Sequence, residues 1–359
     1  TRQHWRDGEV TAGHLAAVED ESIRRLIAEQ EEVGLHSITD GEFRRDWWHL
    51  DFLAGFTGVT MQERERPAGF QGIDKSPPVP VITERVRHDR PIFVEAFSFL
   101  AAQTNRTAKL TIPGPAMAYQ LGGSEAIDRD VYPDVDDFWS DLVDAYREEV
   151  ALLYAAGCRY LQLDDVSFAY LCDTAWRQKM EDRGEPADEL LVRYRDAMNA
   201  VIAGRPDDLL VTTHMCRGNF RSKWVASGGY APIATVVFGG LDVDAFFLEF
   251  DSERAGGFEP LAHIPEGKIA VLGLVTSKTP ELEDADAIIY ALERGFKRPC
   301  CVGATGVGKG AIISEVAGRH RVDPALVKAV IRTESNFISY ARSPKRSEEH
   351  TSELQSPYV

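Results

Sequence analysis

The sequence predicts an α/β protein built as a (β/α)8 TIM barrel, incomplete at its first and last strands. Three observations carry this. Short apolar runs alternate with long amphipathic stretches along most of the chain. The runs are nearly continuous in apolar residues, as strands of a parallel sheet covered on both faces must be. Chemically able residues also sit at or just beyond the end of nearly every run: Asp40 and Glu42, Pro113-Gly114-Pro115, Asp164 and Asp165, His214 and Cys216, Glu249 and Asp251, Thr276-Ser277-Lys278. A barrel assembles its site on the carboxyl ends of its strands. A doubly wound open sheet, the rival architecture, gathers polar groups at one switch point.

The strands, in order, are residues 35–39, 108–112, 160–163, 209–213, 245–250 and 269–275. Residues 18–33, 136–156 and 187–203 carry the period of amphipathic helices and read as crossovers. Residues 55–91, rich in Gly, Pro and charge, read as a long excursion folded as a hairpin rather than as a further barrel strand. Six strands out of eight leave two unpaired edges, so an element is missing at one or both ends.

The chain has 359 residues, 44% hydrophobic and 27% charged, enough for a sizeable core. Its net charge of -17 disfavours nucleic acid and anionic membranes, which require clustered Lys and Arg, and favours small-molecule partners. No apolar stretch is long enough to span a bilayer and residues 1–10 are polar, so the expected location is the cytoplasm. Five cysteines at irregular spacing suit a reducing compartment; Cys158 and Cys172 read as ordinary buried thiols.

The segment Leu209-Leu210-Val211-Thr212-Thr213-His214-Met215-Cys216 closes an apolar run on an imidazole and a thiol. Their i, i+2 spacing on an extended strand points both the same way. Such a pair suits zinc better than magnesium or calcium. Alone, it also matches a core histidine beside an inert thiol. Asp40 could cap a helix while Glu42 pairs with Arg44 or Arg45. Asp164 is expected to face the site, with Asp165 as a cap or support. Glu249 lies among aromatic and apolar residues, where a carboxylate demands a partner. His49, after Trp47 and Trp48, reads as aromatic packing at the border of the pocket.

The segments Thr39-Asp40-Gly41-Glu42-Phe43-Arg44-Arg45, Thr111-Ile112-Pro113-Gly114-Pro115, Gln162-Leu163-Asp164-Asp165, Thr213-His214-Met215-Cys216, Leu248-Glu249 and Val271-Leu272-Gly273-Leu274-Val275 occur in a telling order. It resembles the catalytic half of cobalamin-independent methionine synthase, and more closely its short, single-barrel bacterial relatives, from about residue 10 to about residue 296. The resemblance implies zinc-dependent methyl transfer from 5-methyltetrahydrofolate to a thiol such as homocysteine, giving methionine. It implies His214, Cys216 and Glu249 as zinc ligands, with Asp251 as substitute for Glu249. It implies Glu42, Asp164 and Asp165 as substrate-binding carboxylates. Zinc on the substrate sulfur would lower the thiol pKa and supply a thiolate. The alternatives are a zinc enzyme of the same fold that alkylates a coenzyme thiol, or a metal-free decarboxylase of the uroporphyrinogen type.

The departures from the family lie at the ends. The chain begins after the strand with which relatives open. Relatives place a second zinc-binding cysteine, followed by Gly, after a further helix. Cys300 and Cys301 come early and lack that Gly, so neither is expected as the fourth ligand. Three ligands on an unclosed barrel are expected to hold zinc weakly. The organisation read from the sequence is a zinc barrel over 1–296, a junction over 297–311, a helical fragment over 312–344 and a tail over 345–359. Residues 303–310 nearly spell a phosphate loop, but Gly310 replaces the magnesium-binding hydroxyl, so nucleotide binding is not expected. Residues 312–344 resemble the opening helices of a lytic transglycosylase domain, with Glu334 at its catalytic acid, too short a fragment for that activity. The tail resembles translated sequencing adapter and is expected to be foreign to the natural protein.

Overall fold

The computed structural model describes residues 1–63, 77–220, 222–276 and 278, together with the backbone of 300–304. The strands are β1 (Ser37–Ile38), β2 (Thr57–Gln62), β3 (Val79–Arg87), β4 (Thr107–Pro113), β5 (Tyr160–Asp164), β6 (Leu210–Met215), β7 (Ala245–Glu249), β8 (Ile269–Val275) and β9 (Cys300–Ala304). Seven of them form a parallel sheet in the order β1-β4-β5-β6-β7-β8-β9. The sheet curls into part of a barrel, which bears out the incomplete (β/α)8 reading. Neighbouring strands follow each other in the chain once the hairpin is set aside, as right-handed β-α-β crossovers require.

The six expected strands are all present. The seventh, β9, lies inside the span read as a junction, where it pairs with β8 through Ala270 and Cys300. Its apolar run is only Cys-Cys-Val, next to glycines, too short to separate from a loop by pattern. The expected fragment at 312–344, Glu334 within it, and the tail at 345–359 lie outside the described residues.

The crossover helices form where periodicity and capping agree. Helix Ala12–Glu32 starts at Thr11, whose hydroxyl accepts the His14 N–H at 3.1 Å. Helix Val135–Ala155 starts at Asp134 and buries Phe138, Leu142, Tyr146, Val150 and Leu153 on one face. Helix Ala187–Ile202 buries Leu190, Leu191, Tyr194, Met198 and Val201. These faces cover the outer side of the sheet and make one core with Leu110, Ile112, Leu161, Leu163, Val211 and Phe246.

The excursion after β1 is the expected hairpin: β2 and β3 pair antiparallel. Gly58 permits the bulge at its base, since its φ is 88° and a Cβ there would stand 2.6 Å from the Glu84 carbonyl oxygen. The hairpin is fastened to helix Val135–Ala155. Arg85 makes a bidentate pair with Asp141 at 2.8 and 3.0 Å, and the Val86 N–H donates to the Tyr132 hydroxyl at 2.7 Å.

Candidate active site

At the end of β5 the two aspartates part, as successive strand residues must. Asp164 stays at the mouth. Its Oδ1 accepts from Gln162 Nε2 at 2.7 Å, and its Oδ2 lies 3.5 Å from Nδ1 of His214, its register partner on β6. Asp165 is fully buried and closes the turn that leads into the short helix Ser167–Tyr170. Its Oδ1 accepts the Ser167 N–H at 3.0 Å and the Ser167 hydroxyl. Its Oδ2 has no hydrogen-bond partner and faces Gly114, where a Cβ would stand 2.2 Å away. Only glycine fits there. Burial pushes this carboxyl up to about 7 despite the Ser167 bonds.

The turn after β1 carries Glu42 in the left-handed region, at φ 57°, with its N–H donating to Asp40 Oδ1 at 2.9 Å. Asp40 therefore caps this turn. The Glu42 carboxylate accepts from Arg45 Nη1 at 3.1 Å. That guanidinium is fixed by the carbonyls of Trp48 and Thr111, at 3.2 and 2.7 Å, and stacks over Phe93. Trp47 stacks on Phe220 with ring centroids 5.6 Å apart, which joins the loop after β1 to the loop after β6. His49 is buried against Trp48, and burial pushes its imidazole down to about 3, so it stays neutral.

The partner that the Glu249 carboxylate demands turns out to be three groups. Oε1 accepts from Arg254 Nη2 at 2.8 Å; Oε2 accepts from Lys278 Nζ at 2.9 Å and from the Arg217 backbone N–H at 3.2 Å. Burial opposes ionisation, but Lys278, Arg254 and Arg217 outweigh it and hold Glu249 at about 2. Asp251 joins the same cluster, with Arg254 Nη2 and Lys278 Nζ each 3.0 Å away. Burial likewise opposes the Lys278 charge, yet Glu249, Asp251 and Cys216 hold its pKa above the ordinary value. Cys216 is half-buried just beyond the end of β6.

His214 therefore meets Asp164, while Glu249 and Asp251 meet Arg254 and Lys278. Among the described residues, no three His, Cys, Asp or Glu side chains are grouped closely enough to hold one ion. By type, His214, Cys216 and Glu249 are residues that zinc takes, but they do not converge on one point among the described residues. An imidazole, a thiol and an ionised carboxylate stand on adjacent strand ends, and a cation, the Lys278 ammonium, already sits between the anions.

Sequence reasoning missed Arg217, Tyr230 and Arg254. Arg217 and Tyr230 lie in loops and Arg254 in the 3-10 turn Glu253–Ala255, and only their contacts mark them: the Arg217 guanidinium packs on Tyr230 at 3.8 Å, and the Tyr230 hydroxyl reaches both Met215 and Glu249. The one available signal was that a buried Glu249 needs cations nearby.

Together these features define an enzyme of the barrel class, with its polar groups gathered at the carboxyl ends of parallel strands. The match of residues 1–307 to the family described as "Cobalamin-independent synthase, Catalytic domain" places the chain in the cobalamin-independent methionine synthase family, to which it belongs. An uncharacterized Bacillus subtilis protein, YxjG, is 40% identical over 293 residues, covering 81% of this chain and 77% of its own. Methionine synthase of Pyrococcus abyssi is 24% identical, over 78% of this chain and 71% of its own. The crystal structure of a putative vitamin-B12 independent methionine synthase from Listeria monocytogenes superposes with a TM-score of 0.65 at 31% identity, covering 94% of this chain and 92% of that one. A protein of Syntrophotalea carbinolica named 5-methyltetrahydropteroyltriglutamate–homocysteine methyltransferase is 26% identical over 63% of this chain and 28% of its own, and the chain is an enzyme of the cobalamin-independent synthase family. Among the described residues, no helix is long and apolar enough to cross a membrane.

Proposed function

We propose that the chain transfers a methyl group from 5-methyltetrahydrofolate to the thiol of homocysteine at a zinc site held by His214, Cys216 and Glu249. The observation that carries this reading is the cation-stabilised Glu249 at the end of β7, the strand next to the one that ends on His214 and Cys216. Bound zinc would supply a thiolate at neutral pH by lowering the pKa of the substrate thiol. Asp164 orients the His214 ring, as carboxylates do beside metal-binding histidines. Glu42, steadied by Arg45, and Asp164 offer carboxylates to the ammonium of an amino-acid acceptor. Asp165 supports the mouth from below through the turn it closes ahead of Ser167–Tyr170. With sulfur and methyl donor aligned, the S–C bond would form as the N5–methyl bond breaks, the proton given up by the thiol being balanced by one taken up at the departing N5.

Metal analysis of the purified chain, with His214→Ala and Cys216→Ser beside the parent and a methyl-transfer assay on each, tests the reading. Near-stoichiometric zinc in the parent, lost from both variants together with activity, is the expected result. Full zinc in both variants sinks it.

A further inference from the structure

Two carboxylates at the mouth are set from one rung of the sheet. Thr111, Gln162 and Thr212 are register partners across β4, β5 and β6, two residues below the rung that pairs Asp164 with His214. The Thr111 carbonyl accepts from Arg45 Nη2 at 2.7 Å, and Arg45 Nη1 holds Glu42 at 3.1 Å. Gln162 holds the other carboxylate directly. It stands two residues before Asp164 on β5, so both side chains leave the face opposite Leu161 and Leu163, which lie in the core. Its Nε2 donates to Asp164 Oδ1 at 2.7 Å, which leaves Oδ2 toward His214, 3.5 Å away.

The orientation of that amide is forced, and it is unfavourable elsewhere. An ionised carboxylate only accepts, so the amide nitrogen must face Asp164 and the amide oxygen must face away. There Gln162 Oε1 has no hydrogen-bond partner among the described residues, and neither has the hydroxyl of Thr212, its register partner. Both residues are buried, at 5% and 1% exposed. A buried acceptor left unpaired calls for a reason. Methionine would fill the same space and leave no orphan, so packing alone does not account for an amide here.

We infer that Gln162 is a positioning residue for Asp164: its amide locks the carboxylate at the mouth, where it meets the ammonium of an amino-acid acceptor and makes the site prefer a thiol that carries an α-ammonium over the same thiol without one. This deepens the proposed function and rests on its reading of Asp164 as an acceptor carboxylate; no metal enters it. Without the amide, the Asp164 side chain can turn about its own torsions. An acceptor ammonium then loses a fixed charge to bind, whereas a thiol lacking the ammonium loses nothing.

The test is Gln162→Met in the full chain, with Thr212→Val as control for disturbing a buried residue of the same rung. Calorimetry gives the Kd of homocysteine and of 4-sulfanylbutanoate, the same thiol acid without the ammonium. Their ratio reads ammonium recognition, which a merely structural fault does not move. The parent is expected to prefer homocysteine. In Gln162→Met that preference falls about tenfold while the Kd of 4-sulfanylbutanoate stays put, and Thr212→Val behaves as the parent. In an Asp164→Asn background, Gln162→Met costs nothing further. A preference kept in Gln162→Met overturns the positioning role and leaves Asp164 and Glu42 as acceptor carboxylates. Equal weakening of both ligands, or the same loss in Thr212→Val, overturns it too, since packing then accounts for the effect. So does a further tenfold loss in the Asp164→Asn background, because Gln162 would not be acting through Asp164. A parent without preference for homocysteine overturns the acceptor reading and this inference together.

Discussion

Replacing Lys278 by methionine keeps an apolar stem in place and removes the ammonium that bridges Glu249 and Asp251 at 2.9 and 3.0 Å. The three side chains are only 3%, 2% and 0% exposed, so water cannot take over. At about 3 Å and an effective dielectric of about 20, each contact is worth roughly 5 kcal/mol before desolvation. Desolvation offsets much of that, and removing one member of a buried pair costs about 3–5 kcal/mol. Arg254 Nη2 still touches both carboxylates, at 2.8 and 3.0 Å, which sets the expectation near the lower end, about 3 kcal/mol. Urea unfolding at pH 7 measures it, first in chelator and then with zinc. If zinc binds the same anions, a concentration of about 100 times its Kd returns about 2.7 kcal/mol and nearly restores the variant. Undiminished stability in chelator would show that the ammonium does not support these anions. A loss that zinc leaves untouched would show that metal and lysine do not share them.

Other outcomes follow from the same geometry. Asp165 titrates near 7 in the fold against 3.8 as its ordinary value, so its protonated form is favoured by folding. That contribution is full below about pH 4 and lost as pH rises through about 7, with a slope of up to about 1.4 kcal/mol per pH unit; Asp165→Asn should flatten this part of the stability profile, measured by urea unfolding from pH 4 to 8. Glu249 behaves oppositely, because its lowered pKa stabilises the fold above about 4.5 and that support fades as pH falls toward 2; Glu249→Gln should make acid unfolding less steep in that window. Glu42→Gln, which removes a charge from the acceptor side, should raise the KM for homocysteine about tenfold or more with little change in zinc content; an unchanged KM removes Glu42 from substrate binding. Tyr132→Phe strips the Val86 N–H of its partner and should cost about 1–3 kcal/mol, seen as a lower urea midpoint.

Much of this architecture was legible because the strands of a parallel sheet announce themselves. Residues 245–250 and 269–275 are nearly all apolar, and each ends on groups that can do chemistry. Strand β9 escaped for want of length, and β1 pairs over only Ser37–Ile38 of the longer run expected. Within the site, His214, Cys216 and Glu249 stood out by residue type at strand ends. Of the groups that hold Glu249, Lys278 stood out as a polar residue just beyond β8, whereas Arg254 acts from the 3-10 turn Glu253–Ala255 and Arg217 partly through its backbone. Tyr230 was the least legible of all. Nothing in Gly229-Tyr230-Ala231 marks a hydroxyl that reaches the backbone of two strands. The chain already tells Asp164 and Asp165 apart, and the strand's alternation does send the first to the mouth and the second under Gly114.

The proposed methyl transfer requires that Cys216 and its neighbours bind one metal. The most direct measurement is zinc K-edge X-ray absorption on the full chain loaded with one equivalent of zinc. A sulfur scatterer at about 2.3 Å beside nitrogen and oxygen at about 2.0–2.2 Å is the result expected, with the sulfur lost in Cys216→Ser. A first shell of nitrogen and oxygen alone in the parent would contradict it.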